Sequence, residues 1–511
     1  MVLNYIVLGA FIATLLAIAY WEMGKTKTTG DFLLGGKTFG PWILAVSYGT
    51  TYFSAVVFIG FAGHFGWTAG FGGLWIGLMN ALVGGALAWL VLGRRTRHMT
   101  HNLNTMTMPE FFSARYGSVN MRWLMACVIF TFLIPYSASV FAGLGYLFKE
   151  VFHLTMPQVL TLICVVTGIY VFLGGYKAAA RIDFFQGVVM FFGTLLMVYF
   201  VLRHFGGFSE AVSNANDAFA RHCADYGKEG ATNFNSIEPV PNFVLWSVVF
   251  MTSVGAWGMP QMVHKYYAIK DESQIFRGAV VTTIFALVIG CGAYFCGAFS
   301  HLLEPGMLET KMNGNFESSA LVPIMLTESL PSVLMLVILL LVLSASMSTL
   351  SSLVLVSSSA VSIDLYKGFL AKNQSEKHYL WVMKFLSAVF IVISWVIALC
   401  NPSWIVALMS LSWGAIAGTF LAPYLYGLYW RGTTKMGAYA GMLTGFLTMN
   451  GIYWYRYFAT SPNAAKEFAP VAASIAIVAP FVTVPIVSLI TRPLPTEIVE
   501  KAFAAGRPTA E

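Results

Sequence analysis

The stretch SASMSTLSSLVLVSSSAVSIDLYK, residues 344–367, closes a long apolar segment that begins near Val333. Ten of its first 19 residues are Ser or Thr, a high density of hydroxyl groups for a segment that should enter lipid. The serines at helical positions i, i+4, i+7 and i+8 are Ser344, Ser348, Ser351 and Ser352. Because these positions share one helix face, they form a polar stripe. The stripe either supports close helix packing or binds a ligand.

The composition places the whole chain in a membrane. Of its 511 residues, 58% are hydrophobic and only 10% are charged, whereas soluble domains have about 25% charged residues. A helix needs roughly 20 apolar residues to cross the hydrocarbon core of a bilayer. We therefore predict an all-α integral membrane protein with thirteen spans, at about 2–20, 41–63, 69–93, 123–149, 157–174, 184–203, 242–264, 277–300, 333–362, 380–400, 403–428, 436–457 and 468–491.

The positive charges predict how the spans are oriented. If the N-terminus lies outside, alternate loops place most of the 29 Lys and Arg residues on the inner side, as the positive-inside rule requires. The first segment has no positive n-region and no clear cleavage site after it, so we expect a retained helix rather than a signal peptide. We expect a multi-pass plasma membrane protein, most simply of a bacterial inner membrane, with a cytoplasmic C-terminus.

Two spans are interrupted by small or hydroxylated residues. The segment SYGTTYFS interrupts span 41–63, and SVGAWGMP, which contains Pro260, interrupts span 242–264. Broken backbone at mid-membrane depth is tolerated only where it lines a cavity. Interrupted spans at matching places in two halves indicate an inverted-repeat transporter. The broken spans are five apart, which predicts two repeats of five helices.

This division predicts six segments along the chain. They are 1–40 (an extra first helix and its loop), 41–203 (the first repeat), 204–241 (an outer loop), 242–428 (the second repeat), 429–491 (two extra helices) and 492–511 (a cytoplasmic tail). On the inner side, residues 103–117 are expected to form a short amphipathic helix opened by Pro109 and closed by Gly117.

The hydroxyl stripe and the first broken span together favour a sodium site. Ser and Thr oxygens are neutral, hard ligands, and carbonyls of an unwound helix can complete the shell of a small cation such as Na⁺. Close packing between helices remains the competing explanation of the stripe. The spans contain no HExxH motif, no GxSxG motif and no paired catalytic carboxylates, which disfavours an enzyme.

Five motifs carry a resemblance to a known family: FLLGGKTFGPW (32–42), T-x-PEFF-x-x-RYG (107–117), GGYKAAARIDFFQG (174–187), WGMPQ (257–261) and MSTLSSLVLVSSSAVSIDLYK (347–367). Over nearly the whole chain the sequence resembles the sodium/solute symporters, which include proline, pantothenate, monocarboxylate, sialic acid and sugar transporters. The resemblance implies the five-plus-five inverted-repeat fold of leucine-transporter type and secondary active transport driven by Na⁺.

The resemblance also implies the ion sites. For the main sodium site it indicates the carbonyls of Thr50, Phe53 and Ala345. The hydroxyls of Ser348 and Thr349 would complete this site.

Some members of the family bind a second sodium. Here its ligands would be Asp183, Ser351 and Ser352. An aspartate within a membrane span is a functional candidate by default. The alternative for Asp183 is an ion pair with nearby Arg181 or Lys177.

The solute is expected at the midplane between the two breaks. The candidate lining residues are Tyr52, Ser54, Val57, Phe58, Trp75, Asn80, Tyr136, Ser139, Ser253, Ala256, Trp257, Gln261, Ser412 and Trp413. Each aromatic residue among them has packing as its alternative role.

Three departures from individual family members bear on the solute. Tyr52 stands where proline carriers have a carboxylate, and the apolar Val57 and Ile76 stand near the sugar-binding Gln and Glu of galactose carriers. No Arg interrupts the fourth span as in sialic acid carriers. An apolar, aromatic cavity without a fixed charge favours a monocarboxylate, a pantothenate-like acid or a small amino acid.

We therefore predict a Na⁺-coupled symporter that imports a small organic solute by alternating access. Its partners would be the solute, Na⁺ and the lipid bilayer, without nucleic acid; the sequence does not predict an oligomeric state. The alternatives are a Na⁺-independent uniporter or channel and a transporter-like receptor. Because no kinase-like domain follows the last span, the receptor is the less expected of the two.

Overall fold

The structure, a computed structural model, describes residues 2–23, 29–35, 39–152, 154–226, 239–312, 316–371, 373–400 and 405–504. Within these ranges the regular structure is entirely helical, as the composition predicts. The helices of the first half are α1 (Val2–Met23), α2 (Thr29–Leu34), α3 (Pro41–Tyr52), α4 (Val56–Leu103), α5 (Met108–Tyr116), α6 (Val119–Phe152), α7 (Met156–His204) and α8 (Phe208–Asp225).

The second half continues in the same all-helical manner. Its helices are α9 (Asn242–Gly258), α10 (Pro260–Tyr267), α11 (Ser273–Leu302), α12 (Pro305–Lys311), α13 (Ser318–Ser329), α14 (Val333–Leu370), α15 (Glu376–Cys400), α16 (Ile405–Tyr429), α17 (Lys435–Ala459), α18 (Pro462–Ile490) and α19 (Thr496–Phe503).

Both predicted breaks are present in the backbone. The helix α3 ends at Tyr52, and Phe53 is extended with φ −106° and ψ 123° before α4 starts. In the second half, Met259 is extended with φ −81° and ψ 122°. The helices on its two sides, α9 and α10, are bent by 44°. Pro260 favours this break because it cannot donate the backbone hydrogen bond of a helix interior.

The helices that could span a membrane only partly follow the predicted boundaries. Among the described residues, eight helices are long and apolar enough to cross, or nine if α9 and α10 count as one span. The predicted loop 175–183 is wrong, because those residues are helical within the 49-residue α7. Their sequence holds no Pro, so nothing in it requires the helix to end. The count of thirteen spans and the division into two repeats remain predictions.

The short helix predicted at 103–117 is present as α5 but begins only at Met108, because Leu103 still ends α4 and residues 104–107 are not helical. Thr107 caps its start, because the Thr107 hydroxyl accepts a hydrogen bond from the Glu110 N–H at 3.1 Å. Pro109 lies in its first turn, where a missing N–H costs nothing. Gly117 ends it with φ +59°, a left-handed conformation that glycine adopts without strain.

The two ends of α6 lie on two faces of the bundle. Near one end, Glu150 pairs with Lys311 at 3.1 Å, on the face that also carries α8 and α13 (the α8 face). Near the other end, Arg122 pairs with Asp364 at 2.8 Å, on the face that carries α5 (the α5 face). The predicted outer loop 204–241 lies on the α8 face, where the ring of His222 is 5.2 Å from that of Trp67. Which face is outside remains a prediction.

The hydroxyl-rich helix α14 lies at the centre of the bundle. It packs against α3, α6 and α7. In its most apolar 18-residue stretch 78% is buried, compared with 33% in the corresponding stretches of α15 and α18. The serines of the stripe are at most 5% exposed. The stripe therefore faces protein rather than lipid, as its spacing indicates.

Candidate ion and solute site

The hydroxyls of Ser348 and Thr349 on α14 lie against the C-terminal end of α3. The Ser348 Oγ is 3.0 Å from the Thr50 carbonyl oxygen and 3.1 Å from that of Ala345. The Thr349 Oγ1 is 3.3 Å from the Thr50 carbonyl and 3.0 Å from that of Ala345. It also lies 3.2 Å from the Thr51 carbonyl. These five residues are buried, and we call them the hydroxyl cluster.

The carbonyls of α3 are available because the helix ends here. The last carbonyls of a helix have no partner within it. The Phe53 N–H donates a hydrogen bond to the Gly49 carbonyl at 3.1 Å. The carbonyls of Thr50 and Thr51, which come next in the chain, face α14. The negative end of the helix dipole lies at the same place, which favours a cation.

The hydroxyl cluster can offer neutral oxygens to a small monovalent cation. As it stands, each hydroxyl donates to a carbonyl, and rotation of the O–H bond would turn the hydroxyl lone pairs inward. Four of the five predicted ligand residues meet here. The carbonyl of Phe53 makes no hydrogen bond to the cluster among the described residues, whereas the Thr51 carbonyl, which sequence reasoning missed, takes part. Thr51 was missed because the exact end of a helix is not readable from composition.

The structure places the residues predicted for a second sodium in two different surroundings. The Ser351 hydroxyl donates to the Ser348 carbonyl of its own helix at 2.9 Å. Ser352 and Asp183 both lie near the Lys265 ammonium, at 3.3 Å and 3.5 Å. Lys265 is 2% exposed and Asp183 is fully buried.

Of the two ion-pair partners suggested for Asp183, Arg181 is wrong and Lys177 is untested. Arg181 pairs instead with Glu22, at 2.6 Å, and the side chain of Lys177 is outside the described residues. Sequence reasoning missed Lys265 because 82 residues separate it from Asp183. Its only signal was a lysine placed directly after an interrupted apolar span.

Aromatic residues gather beside the break between α3 and α4. The ring of Tyr52 stacks on that of Trp413 at 6.3 Å and 15°, and Tyr136 meets Trp413 edge-on at 5.9 Å. All three are nearly fully buried. The buried Ser412 Oγ has no hydrogen-bond partner among the described residues. The Trp413 Nε1 lies beside the Tyr136 hydroxyl but makes no well-aligned hydrogen bond to it. Both groups could bond to a polar ligand in the same region.

A second group of polar candidates links α4 to α9. The side-chain oxygen of Asn80 accepts hydrogen bonds from Thr252 at 2.8 Å and Ser253 at 3.0 Å. The Tyr52 hydroxyl donates to the Thr252 carbonyl at 2.6 Å. Sequence reasoning missed Thr252, because a single threonine in an apolar span carries no signal of its own. The hydrogen bonds of this group connect the two broken spans.

The remaining residues predicted to line the solute site differ in their burial and in their contacts. Ser54, Val57, Phe58, Ala256 and Gln261 are buried at the two breaks, and among the described residues the Gln261 Oε1 has no hydrogen-bond partner.

Three candidates have other contacts. The Trp257 Nε1 donates to the Val83 carbonyl at 3.0 Å, and the Ser139 hydroxyl bonds within its own helix. Trp75 does not join the buried group, since it is 44% exposed and packs on Trp246 at 5.6 Å.

Both faces of the bundle carry a cavity. On the α8 face a cavity of about 660 Å³ is lined by residues of α4, α13 and α16, among them His64 and Ser318. On the α5 face a cavity of about 530 Å³ lies beside Tyr116, whereas the space between Thr107 and Asp364 has only about 10 Å³. The gap between α5 and α14 is therefore nearly closed.

Comparison with known proteins connects this architecture to a family. Residues 32–445 match the model of the sodium:solute symporter family. The sodium/proline symporter of Salmonella typhimurium is 28% identical over 454 residues, which cover 88% of this chain and 86% of that protein. The sodium/pantothenate symporter of Haemophilus influenzae is 26% identical over 452 residues, covering 86% and 89%.

Solved structures share the fold at lower identity. A Na⁺-coupled sialic acid symporter in a substrate-bound outward-open state has a TM-score of 0.74 at 18% identity, covering 96% of this chain and 98% of that one. Mhp1, a nucleobase-cation-symport-1 family transporter in a closed conformation, has a TM-score of 0.50 at 14% identity, covering 92% and 97%. The family and these relatives are transporters, not enzymes. The chain belongs to the sodium:solute symporter family.

Proposed function

We propose that this protein imports a small organic solute together with Na⁺ by alternating access. The observation that carries the proposal is the hydroxyl cluster, in which Ser348 and Thr349 face the free carbonyls at the break of α3. Close packing of the helices alone would not require the carbonyls at the end of α3 to point at two hydroxyl groups. In other transporters, such ends and unwound carbonyls coordinate the coupling ion.

Sodium bound in the hydroxyl cluster would hold α3 against α14. The ligands come from both helices, so the ion favours the state in which they are close together. We propose that α3, α4 and α9 to α11 rock against α6, α7, α14 and α15. If the N-terminus is outside, the α8 face is external, and the cavity of about 660 Å³ there opens toward the outer side. Sodium would then favour the state that accepts solute from outside.

The energy of one sodium ion is sufficient for accumulation. Moving one positive charge across about 100 mV yields about 2.3 kcal/mol. A tenfold concentration gradient adds about 1.4 kcal/mol. Together these support an accumulation of several hundredfold for a solute without net charge, such as a small amino acid. For a monocarboxylate, the charges of Na⁺ and the solute cancel, so the potential contributes nothing and one ion supports about tenfold accumulation.

The solute we propose is a compact monocarboxylate, a pantothenate-like acid or a small amino acid. The buried group of Tyr52, Tyr136 and Trp413 offers apolar area and a few polar atoms but no fixed charge. A carboxylate would be held by backbone N–H groups at a broken helix and by the Trp413 Nε1. The relatives named for proline and pantothenate support this size class.

A ligand screen of detergent-purified protein tests the proposal. Melting temperature is measured with proline, pantothenate, lactate, alanine, sialic acid and galactose, each in Na⁺ and in K⁺. A ligand that binds the folded state at about 100 times its Kd stabilises it by about 2.7 kcal/mol. We expect one of the three proposed classes to shift melting in Na⁺ only.

Two variants make the result specific to the hydroxyl cluster. Ser348→Ala should abolish the sodium dependence of the shift. Ser346→Ala is the matched control, because the Ser346 hydroxyl bonds only within its own helix, to the Val342 carbonyl at 2.7 Å. Equal shifts in Na⁺ and K⁺ for the wild type would overturn sodium coupling and favour a uniporter or a receptor.

A further inference from the structure

A buried lysine lies where the sequence suggests a second sodium. Lys265, in α10, is 2% exposed, and Asp183, in α7, is fully buried. A buried charge is costly unless a partner of opposite charge and hydrogen bonds compensate it. The two residues therefore stabilise each other as a pair, and the pair needs no external ion to be neutral.

The contacts of the Lys265 ammonium match its three donors. Its Nζ lies 2.8 Å from the Ser47 Oγ, 3.3 Å from the Ser352 Oγ and 3.5 Å from the Asp183 Oδ2. An ammonium group has three N–H donors and no acceptor, so these three oxygens fill its capacity. The ring of Tyr176, 5.3 Å away, adds a cation–π contact.

The surrounding hydroxyls are arranged for an ammonium. Ser47 accepts from Lys265 and donates its own proton to Asp183 at 2.5 Å. The Ser352 hydroxyl also lies 3.0 Å from the Thr51 hydroxyl. A sodium ion bound by Asp183 and Ser352 would lie beside the ammonium, where two positive charges in a buried site repel strongly.

We propose that Lys265 is a built-in cation that takes the place of a second sodium ion, so that this protein binds one sodium per transport cycle. This inference rests on the proposed sodium symport. Thr51 connects the two places, because its carbonyl belongs to the hydroxyl cluster and its hydroxyl meets Ser352. One cation would be exchangeable, at the hydroxyl cluster, and the other would be part of the chain.

The fixed cation also connects moving and static helices in the proposed cycle. Ser47 and Lys265 belong to the broken spans, in α3 and α10, whereas Asp183 and Ser352 belong to α7 and α14. Through its contacts with Ser47 and Ser352, Lys265 therefore also connects α3 to α14, the two helices that sodium would join at the hydroxyl cluster. A second mobile ion is not needed for that connection.

The test is the number of sodium ions bound by the purified full-length protein, measured with radiolabelled sodium alone at saturation. We expect one ion per chain in the wild type. In Lys265→Met, Asp183 loses its partner and becomes available to a cation, so we expect two ions and a steeper sodium dependence of melting. Lys265→Arg keeps the charge and should still bind one ion.

The outcomes separate this inference from the proposed function. Two ions in the wild type would overturn the inference and leave sodium symport intact, whereas none would overturn both. A folded Lys265→Met that still binds one ion would also overturn it.

If Lys265→Met does not fold, the inference is tested by locating the sodium ion that the wild type binds. Asp183→Asn should retain the ion, and Thr349→Val should lose it. The reverse pattern would mean that sodium is bound at Asp183 and that Lys265 does not take its place.

Discussion

The hydroxyl oxygen of Ser348 on α14 lies 3.0 Å from the carbonyl oxygen of Thr50. The two residues are 298 positions apart in the chain. Thr50 stands two residues before the end of α3, where the helix can no longer use its own carbonyls. This contact brings the hydroxyl stripe and the first break into one cluster, and the first prediction follows from it.

Thr349→Val should weaken sodium binding at least tenfold. Valine matches threonine in shape but removes the oxygen that lies against the carbonyls of Thr50, Thr51 and Ala345. The loss of one good oxygen ligand is worth about 1.4 kcal/mol or more, which corresponds to a factor of ten. The sodium concentration for half-maximal thermal stabilisation measures the effect.

Thr349→Ser is the matched control for this prediction, because it removes a methyl group and keeps the hydroxyl. Its sodium dependence should stay close to that of the wild type. If Thr349→Val and Thr349→Ser respond to sodium alike, the hydroxyl serves helix packing only.

Trp413→Phe should weaken solute binding without changing the sodium response. Phenylalanine keeps an aromatic ring against Tyr52 and Tyr136 but removes the buried Nε1 donor, which lies beside the Tyr136 hydroxyl without a well-aligned hydrogen bond to it. Loss of one hydrogen bond to a charged solute group costs about 1.5–3 kcal/mol. Titration of the solute found in the ligand screen, at saturating sodium, measures this loss.

Trp395→Phe is a suitable comparison for Trp413→Phe. Its Nε1 is likewise buried and without a partner among the described residues, but it belongs to the peripheral α15. This variant should bind solute as the wild type does. Equal losses in both variants would indicate a general effect on stability.

Asp364→Ala should destabilise the α5 face by about 3 kcal/mol or more, the usual effect of breaking a buried ion pair. The Asp364 carboxylate is fully buried and accepts from Arg122 at 2.8 Å and from the Thr107 hydroxyl at 3.0 Å. Arg122 also pairs with Glu110 at 2.6 Å, so the carboxylate connects α5, α6 and α14. Thermal unfolding in detergent measures the change.

Glu376→Ala is the control for Asp364→Ala. Glu376 pairs with Lys367 at 3.2 Å, but both side chains are at least one third exposed. Exposed pairs contribute at most about 1 kcal/mol, so the melting temperature should hardly change. A similar decrease in both variants would contradict the central role of Asp364.

Gly445→Ala should destabilise the bundle by about 1–3 kcal/mol, the range for overpacking. A Cβ at Gly445, in α17, would overlap the Gly418 carbonyl oxygen of α16. Because the obstacle is backbone, no side chain can move to make room. The two helices would have to separate, and the melting temperature would fall.

Gly451 lies in the same helix, and a Cβ there would meet no atom within 4 Å. Gly451→Ala should therefore be neutral or stabilising by up to about 1 kcal/mol, because alanine favours a helix more than glycine does. A destabilising Gly451→Ala with a tolerated Gly445→Ala would contradict the packing of α16 on α17.

The sequence alone determined the local features of this protein. Hydropathy indicated an all-helical membrane chain, Pro260 and the SYGTTYFS segment indicated the two breaks, and helical spacing indicated the buried stripe on α14. Thr107, Pro109 and Gly117 indicated α5. These features depend on backbone chemistry and on periodicities within a few turns, so they can be read without knowledge of distant contacts.

The tertiary structure decided which distant groups meet. It paired Lys265 with Asp183 and Arg181 with Glu22, brought the Thr51 carbonyl to the Thr349 hydroxyl, and left Trp75 at the surface. It also made residues 175–183, which were predicted to form a loop, part of the continuous helix α7. Such outcomes depend on the packing of helices that are far apart in the chain. A buried charge can pair only with a group that this packing places next to it.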